Sequence, residues 1–164
     1  MSAEEAKREK GIAGAAAVRP PEQVRLELET VEGEGLRFAG HSGDFTVTLD
    51  SGPGAVAPNP VRMLMLALGS CTGMDVISIL RKKRQAVTGY EIVVTGQRRA
   101  EHPRYFLTLE LTHRLRGRDL SRAAAEEAVR LSATKYCTVS AQISGTATIT
   151  NRVEILPAEA GGGR

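Results

Sequence analysis

The run from Val61 to Leu80 constrains the fold more than any other part of the chain. Asn59 followed by Pro60 is a helix entry, with Asn as N-cap and Pro in the first turn, and the pattern predicts a helix from Pro60 to about Lys83. Such a helix is roughly 36 Å long. Met63, Leu64, Met65, Leu66, Leu68, Met74, Val76, Ile77, Ile79 and Leu80 occupy nearly every face of it, and a helix apolar all round belongs inside a core. A bilayer is the wrong core for it. Arg62 and Asp75 interrupt the run, and the charge-free stretch from Met63 to Met74 is too short to cross the hydrocarbon, so no membrane span is expected and the protein should be soluble. With 164 residues, one small sheet cannot surround this helix alone. A second copy of the chain covering its far side would, so the helix itself points to a homodimer.

The remaining elements follow from shorter patterns. Val24-Leu26-Leu28, Leu36-Phe38 and Phe45-Val47-Leu49 alternate with period two, and Gly33, Gly35, Gly40 and Gly43 break them, which predicts an antiparallel meander with one buried face. After the long helix, Tyr90 to Gln97 and Tyr105 to Leu115 form a hairpin across a polar turn containing His102-Pro103. Asp119 or Ser121 caps a second helix through about Lys135, and Thr146 to Leu156 is the last strand. The order β-β-β-α-β-β-α-β predicts an α+β fold, with mostly antiparallel sheet packed around the long central helix. Residues 1–21 and 157–164 read as mobile tails, leaving a domain over 22–156.

Composition removes several function classes. There is no Trp, and 3 Tyr with 3 Phe cannot build an aromatic platform for bases or sugars. The net charge of +3 is too small to imply an electrostatic partner. Clusters at Arg81 to Arg84, Arg98-Arg99 and Arg114, Arg116, Arg118 come without any nucleic-acid signature, so they are expected on a solvated surface and no nucleic-acid partner is expected. The N-terminus lacks the apolar core of a secretory signal, so a cytoplasmic chain is expected, with free or redox-active thiols favoured over a structural disulfide. His41, His102 and His113 are isolated and expected on the surface or in turns, and neither cysteine has a C-x-x-C spacing; no metal is expected. No glycine segment suits a dinucleotide or triphosphate, so no cofactor is expected either.

Chemistry then rests on Cys71 and Cys137. Cys71 lies in the long helix between Gly69 and Gly73, each of which costs about 1 kcal/mol of helix propensity relative to Ala. Two readings stay open: small residues that let a substrate or backbone reach the thiol, or a buried inert cysteine in a tight helix crossing. Cys137 follows the second helix. At a helix C-terminus the dipole disfavours a thiolate there, whereas a further helical turn starting at Thr138 would reverse the sign. Asp75, four residues after Cys71, shares its face and opposes a thiolate; it reads as a hydrogen-bond partner, an anchor for a cation, or a buried paired carboxylate.

Pro58-Asn59-Pro60, Met63-Leu64-Met65-Leu66-Ala67-Leu68-Gly69-Ser70-Cys71-Thr72, Asp75-Val76-Ile77-Ser78-Ile79-Leu80 and Lys135-Tyr136-Cys137 together resemble the OsmC/Ohr family of osmotically inducible and organic hydroperoxide resistance proteins, over about residues 24–156. The resemblance implies an intertwined homodimer with a site at the subunit interface. It also implies that Cys71 attacks the O–O bond of an organic hydroperoxide, that Cys137 resolves the resulting sulfenic acid as a disulfide, and that a dithiol reductant restores the pair. Family members activate the first cysteine with an arginine held by a glutamate after Asn-Pro. Here that position is Val61. Arg62 cannot substitute within its own helix, because nine residues place it on the opposite face and roughly 13 Å along the axis from Cys71. Arg19, Arg25 and Arg37 precede the helix without a motif that selects one. The resemblance is therefore to the OsmC-like branch, with two functional readings: thiol-dependent reduction of organic hydroperoxides, or a non-enzymatic dimer that binds an apolar ligand at its interface.

Overall fold

The computed structural model describes residues 19–29 and 35–158. The greater part of both expected tails, and Gly33, lie outside them. The chain divides into two compact units, residues 1–57 and 58–164.

In the first unit, β1 (Arg25–Leu28), β2 (Phe38–Ser42) and β3 (Phe45–Leu49) form an antiparallel sheet in that order. The second strand starts where the short Leu36-Phe38 pattern ends, because its backbone pairs through Gly40 with Leu26 on one side and Val47 on the other. Gly43, at φ +56°, makes the β2–β3 turn in a conformation that side chains disfavour. Asp50 closes the sheet: its carboxylate accepts hydrogen bonds from the backbone N–H of Ser51 and Val56 and from Arg37 Nε. The predicted buried face is not buried within one chain, for Leu26, Leu28, Phe45 and Val47 are all exposed.

The second unit is built on α1 (Pro60–Lys82), whose first turn is capped by Asn59 Oδ1 accepting the Arg62 N–H at 2.9 Å. Length and composition alone would let this helix cross a membrane. One face of it is packed inside the chain: Leu68, Thr72, Val76 and Leu80 recur every four residues as one fully buried line. β4 (Ala86–Arg98) and β5 (Phe106–Arg118) form the predicted hairpin; β4 extends past the alternating pattern at both ends, whereas β5 starts just after Tyr105 and runs on past Leu115. The β6 strand (Thr148–Leu156) lies on the other edge of β5 and runs parallel to it, so the last strand departs from the antiparallel expectation. A parallel return needs a long crossover, which residues 119–147 supply.

That crossover is not the single helix expected. It comprises α2 (Arg122–Leu131), capped by Ser121 as predicted, then a π-helical turn at Ser132–Tyr136, and then a short α3 (Thr138–Ile143). One apolar cluster gathers Leu68, Phe106, Leu109, Leu111, Ile143 and Cys137; a second gathers Val76, Leu80, Leu115, Ala125, Ala128 and Val129.

His113 corrects the expectation of surface histidines. It is fully buried in β5, with Nδ1 2.7 Å from the Tyr90 hydroxyl and Nε2 3.0 Å from Asn151 Oδ1. Its position facing inward on an alternating strand was compatible with burial, and two polar partners make that burial affordable.

Candidate active site

The buried line of α1 and the break between α2 and α3 bring the two cysteines together. Cys71 sits half-buried at the edge of the first apolar cluster, and Cys137 is buried within it. The sulfurs of Cys71 and Cys137 and a carboxylate oxygen of Asp75 all lie within 4.8 Å of one another, and both thiols are free.

Each group is held by a neighbour. Cys137 is the N-cap of α3, and its Sγ accepts the Ser140 N–H at 3.3 Å. Of the two dipole readings left open by the sequence, the second therefore holds: a helical turn starts at Thr138 and its N-terminal end faces the sulfur. Thr72 Oγ1 stands 3.4 Å from the same sulfur. Burial nevertheless wins, and with the adjacent Cys71 it pushes the Cys137 thiol above its ordinary pKa despite the Thr72 and Ser140 hydrogen bonds. A buried thiol that stays protonated is a poor attacker.

Asp75 resolves as a hydrogen-bond partner. Ser132 Oγ donates to Asp75 Oδ2 at 2.9 Å, and the Ser132 carbonyl accepts the Cys137 N–H at 2.9 Å. Ser132 thus ties the carboxylate to the second cysteine from inside the π-helical turn, a place where helical irregularities often serve function. Sequence reasoning missed Ser132, Thr72 and Ser140. Thr72 beside Cys71 and the Cys137-Thr138-Val139-Ser140 run, a cap followed three residues later by a donor, were the available signals.

Residues 49–152 match the family model described as OsmC-like protein. The chain belongs to the OsmC-like family. Among its curated relatives, protein YhfA of Escherichia coli K12 is 41% identical over 126 residues, covering 76% of this chain and 94% of YhfA. A hypothetical protein of Aquifex aeolicus VF5 superposes with a TM-score of 0.76 at 30% identity, over 86% of this chain and all of that one. The organic hydroperoxide resistance protein OhrB of Bacillus subtilis shares the fold at a TM-score of 0.56 and 16% identity, over 82% of this chain and 98% of OhrB.

Against that OsmC-like background, Val61 packs on the apolar cluster that contains Cys137, where an Asn-Pro-Glu sequence would place a carboxylate. Arg62 borders a groove of about 730 Å³ between α1 and β4, lined also by Leu66, Gly69, Met74 and Ile92, and Cys71 is not part of that lining. Arg25 pairs with Glu27, and Arg37 donates to Asp50, all inside the first unit.

Gly69 and Gly73 face β4. A Cβ on Gly69 would stand 3.0 Å from Val94 Cγ2, and one on Gly73 would stand 2.7 Å from Ile92 Cδ1. Both let α1 lie close against a strand, β4, rather than against another helix, and Cys71 between them is only half-buried.

Proposed function

We propose that this OsmC-like protein is a cytoplasmic, homodimeric thiol peroxidase that reduces organic hydroperoxides with Cys71 and Cys137. The observation that carries the reading is the pair itself: two free thiols from different elements, close enough to join after local movement, one half-exposed and one buried. Cys71, the less buried residue of the two, takes the role of attacker in this reading. In the proposed cycle the Cys71 thiolate attacks the distal peroxide oxygen, the O–O bond breaks, and the leaving alkoxide takes a proton to depart as an alcohol. Cys71 is then a sulfenic acid. The Cys137 thiol displaces its hydroxyl as water, forming the disulfide, and an external dithiol reduces that bond through a mixed disulfide and leaves oxidised. Support from relatives is of the same kind, since OhrB carries hydroperoxide resistance in its name on the same fold. Apolar walls around the pair, Leu68, Phe106 and Val61 among them, favour an alkyl or aryl peroxide over hydrogen peroxide.

Val61 supports the second reading, an OsmC-like dimer that binds an apolar ligand without turnover, because no carboxylate stands at that position to hold an activating arginine. Stopped-flow oxidation by cumene hydroperoxide separates the two. The peroxidase reading expects faster oxidation by cumene hydroperoxide than by hydrogen peroxide, no turnover in Cys71→Ser, and a single oxidation in Cys137→Ser that leaves a sulfenic acid on Cys71 by mass. Equal rates for wild type and Cys71→Ser, or oxidation that begins at Cys137, sink the assignment of roles.

A further inference from the structure

One feature of the site has no task in the thiol cycle: a carboxylate within 4.8 Å of both sulfurs. A peroxidatic thiolate is stabilised by a cation, and Asp75 supplies the opposite charge. With both thiols ionised, Asp75 would complete a set of three negative donors in one small space. We infer that Cys71 Sγ, Asp75 and Cys137 Sγ form a binding site for a thiophilic divalent cation of the zinc and cadmium class.

The donor chemistry fits that class. Two thiolates and one carboxylate suit a d¹⁰ dication, whereas magnesium and calcium require oxygen-only sets. Tetrahedral zinc, with Zn–S near 2.3 Å and Zn–O near 2.1 Å, holds its donors roughly 3.5 to 3.8 Å apart. The three donors, all within 4.8 Å of one another, already stand close to that spacing. Cys71 and Asp75 are four residues apart on one rigid helix, and they present both donors on one face. Cys137 is fixed from the other side by the π-helical turn and α3.

The surroundings also have the form of an outer shell. Ser132 Oγ orients the Asp75 carboxylate at 2.9 Å, and the Ser140 N–H and Thr72 hydroxyl approach the Cys137 sulfur at 3.3 and 3.4 Å. Hydrogen bonds of this kind fix the direction of ligand lone pairs and conserve affinity. Three protein donors leave a fourth position, which water can take because Cys71 and Asp75 are only half-buried. Loading exchanges two thiol protons for one dication. It is therefore exclusive with disulfide formation: a hydroperoxide that takes two electrons from the pair, leaving the disulfide, an alcohol and water, releases the metal. The inference does not depend on peroxide turnover, since it needs only the reduced chain.

The test titrates the reduced full-length protein with Zn²⁺ against a chromophoric chelator, and with Cd²⁺ while the thiolate-to-cadmium charge-transfer band is read in the ultraviolet. One equivalent per chain is expected, with a band of two-thiolate intensity, and none after the pair is oxidised to the disulfide. Cys71→Ser and Cys137→Ser should each weaken binding more than about 100-fold, and Ser132→Ala by about 10-fold to 100-fold. Asp75→Ala should weaken it at least about tenfold. Asp75→Asn, which preserves the shape and a hydrogen bond to Ser132, guards against a folding defect and should weaken it comparably. Wild-type affinity in both Asp75 variants reduces the site to a dithiol and overturns the proposal, as does uptake of less than half an equivalent or undiminished uptake by the oxidised chain. Titration involves no turnover, so its failure and that of the peroxidase reading are told apart.

Discussion

At the scale of single residues, the buried polar groups of the second unit divide into those that hold the cysteines and those that hold the sheet. Ser132 belongs to the first kind, bonding Asp75 through its hydroxyl and Cys137 through its carbonyl. His113 belongs to the second. It is buried between Tyr90 and Asn151, and burial lowers its pKa from the ordinary 6.5, although the Asn151 hydrogen bond acts against that. A folded-state pKa below the unfolded value means that the unfolded chain binds a proton which the folded chain refuses. The stabilisation is then complete above about pH 6.5 and is lost as pH falls from there toward the depressed folded value. Urea unfolding at pH 7.5, 6.5 and 5.5 should show stability falling across the lower interval by up to about 1.4 kcal/mol per pH unit. His113→Gln should flatten that slope whatever it does to absolute stability. An unchanged slope in the variant assigns the titration to another group.

At the scale of elements, glycines mark where backbones or side chains come closest, and their surroundings differ enough to be ranked. A Cβ on Gly117 would meet the Ala86 carbonyl oxygen at 2.3 Å, where β4 and β5 pair and the backbone cannot yield cheaply. On Gly73 it would meet the tip of the Ile92 side chain, which can rotate, and the helix gains about 1 kcal/mol of propensity in exchange. Gly117→Ala should therefore cost about 2 kcal/mol or more, and Gly73→Ala roughly nothing, both read from urea midpoints. The reverse order would show that α1, not the hairpin, is the tighter contact. These elements were legible in the sequence to different degrees for physical reasons. Asn59-Pro60 fixed the start of α1, and alternation found the hairpin, because caps and period two are local signals. The parallel return of β6 was not local: only the length of the segment after β5 hinted at a crossover. Nor could the π-helical turn be read, since Ser132-Ala133-Thr134-Lys135-Tyr136 contains nothing that a regular helix refuses. That turn decides where Cys137 points, so the family resemblance could name the pair, but the local sequence could not give the side chains around it.

At the scale of the whole molecule, the long helix is left half-dressed by its own chain. Only 33% of its most apolar window is buried. Leu68, Thr72, Val76 and Leu80 face inward, while Leu66 and Met74, near the opposite side, are 57% and 69% exposed along the groove beside β4. Exposed apolar surface recurs on the three-stranded sheet of the first unit, at Leu26, Phe45 and Val47. A soluble monomer rarely leaves this much apolar surface to water, and a second copy of the chain supplies matching apolar surface by symmetry. The proposed homodimer should accordingly be obligate, burying more than about 2,000 Å² in total. Sedimentation should give a two-chain species throughout the micromolar range, with no folded monomer on dilution. Leu66→Asp with Met74→Asp touches neither cysteine nor the buried line, yet placing two charges in an apolar interface should convert the protein to a destabilised monomer or prevent folding. Should that double variant stay dimeric at wild-type stability, the α1 face is not the interface; should the wild type sediment as a stable folded monomer, the dimer itself is gone, and the helix must be covered by something other than its twin.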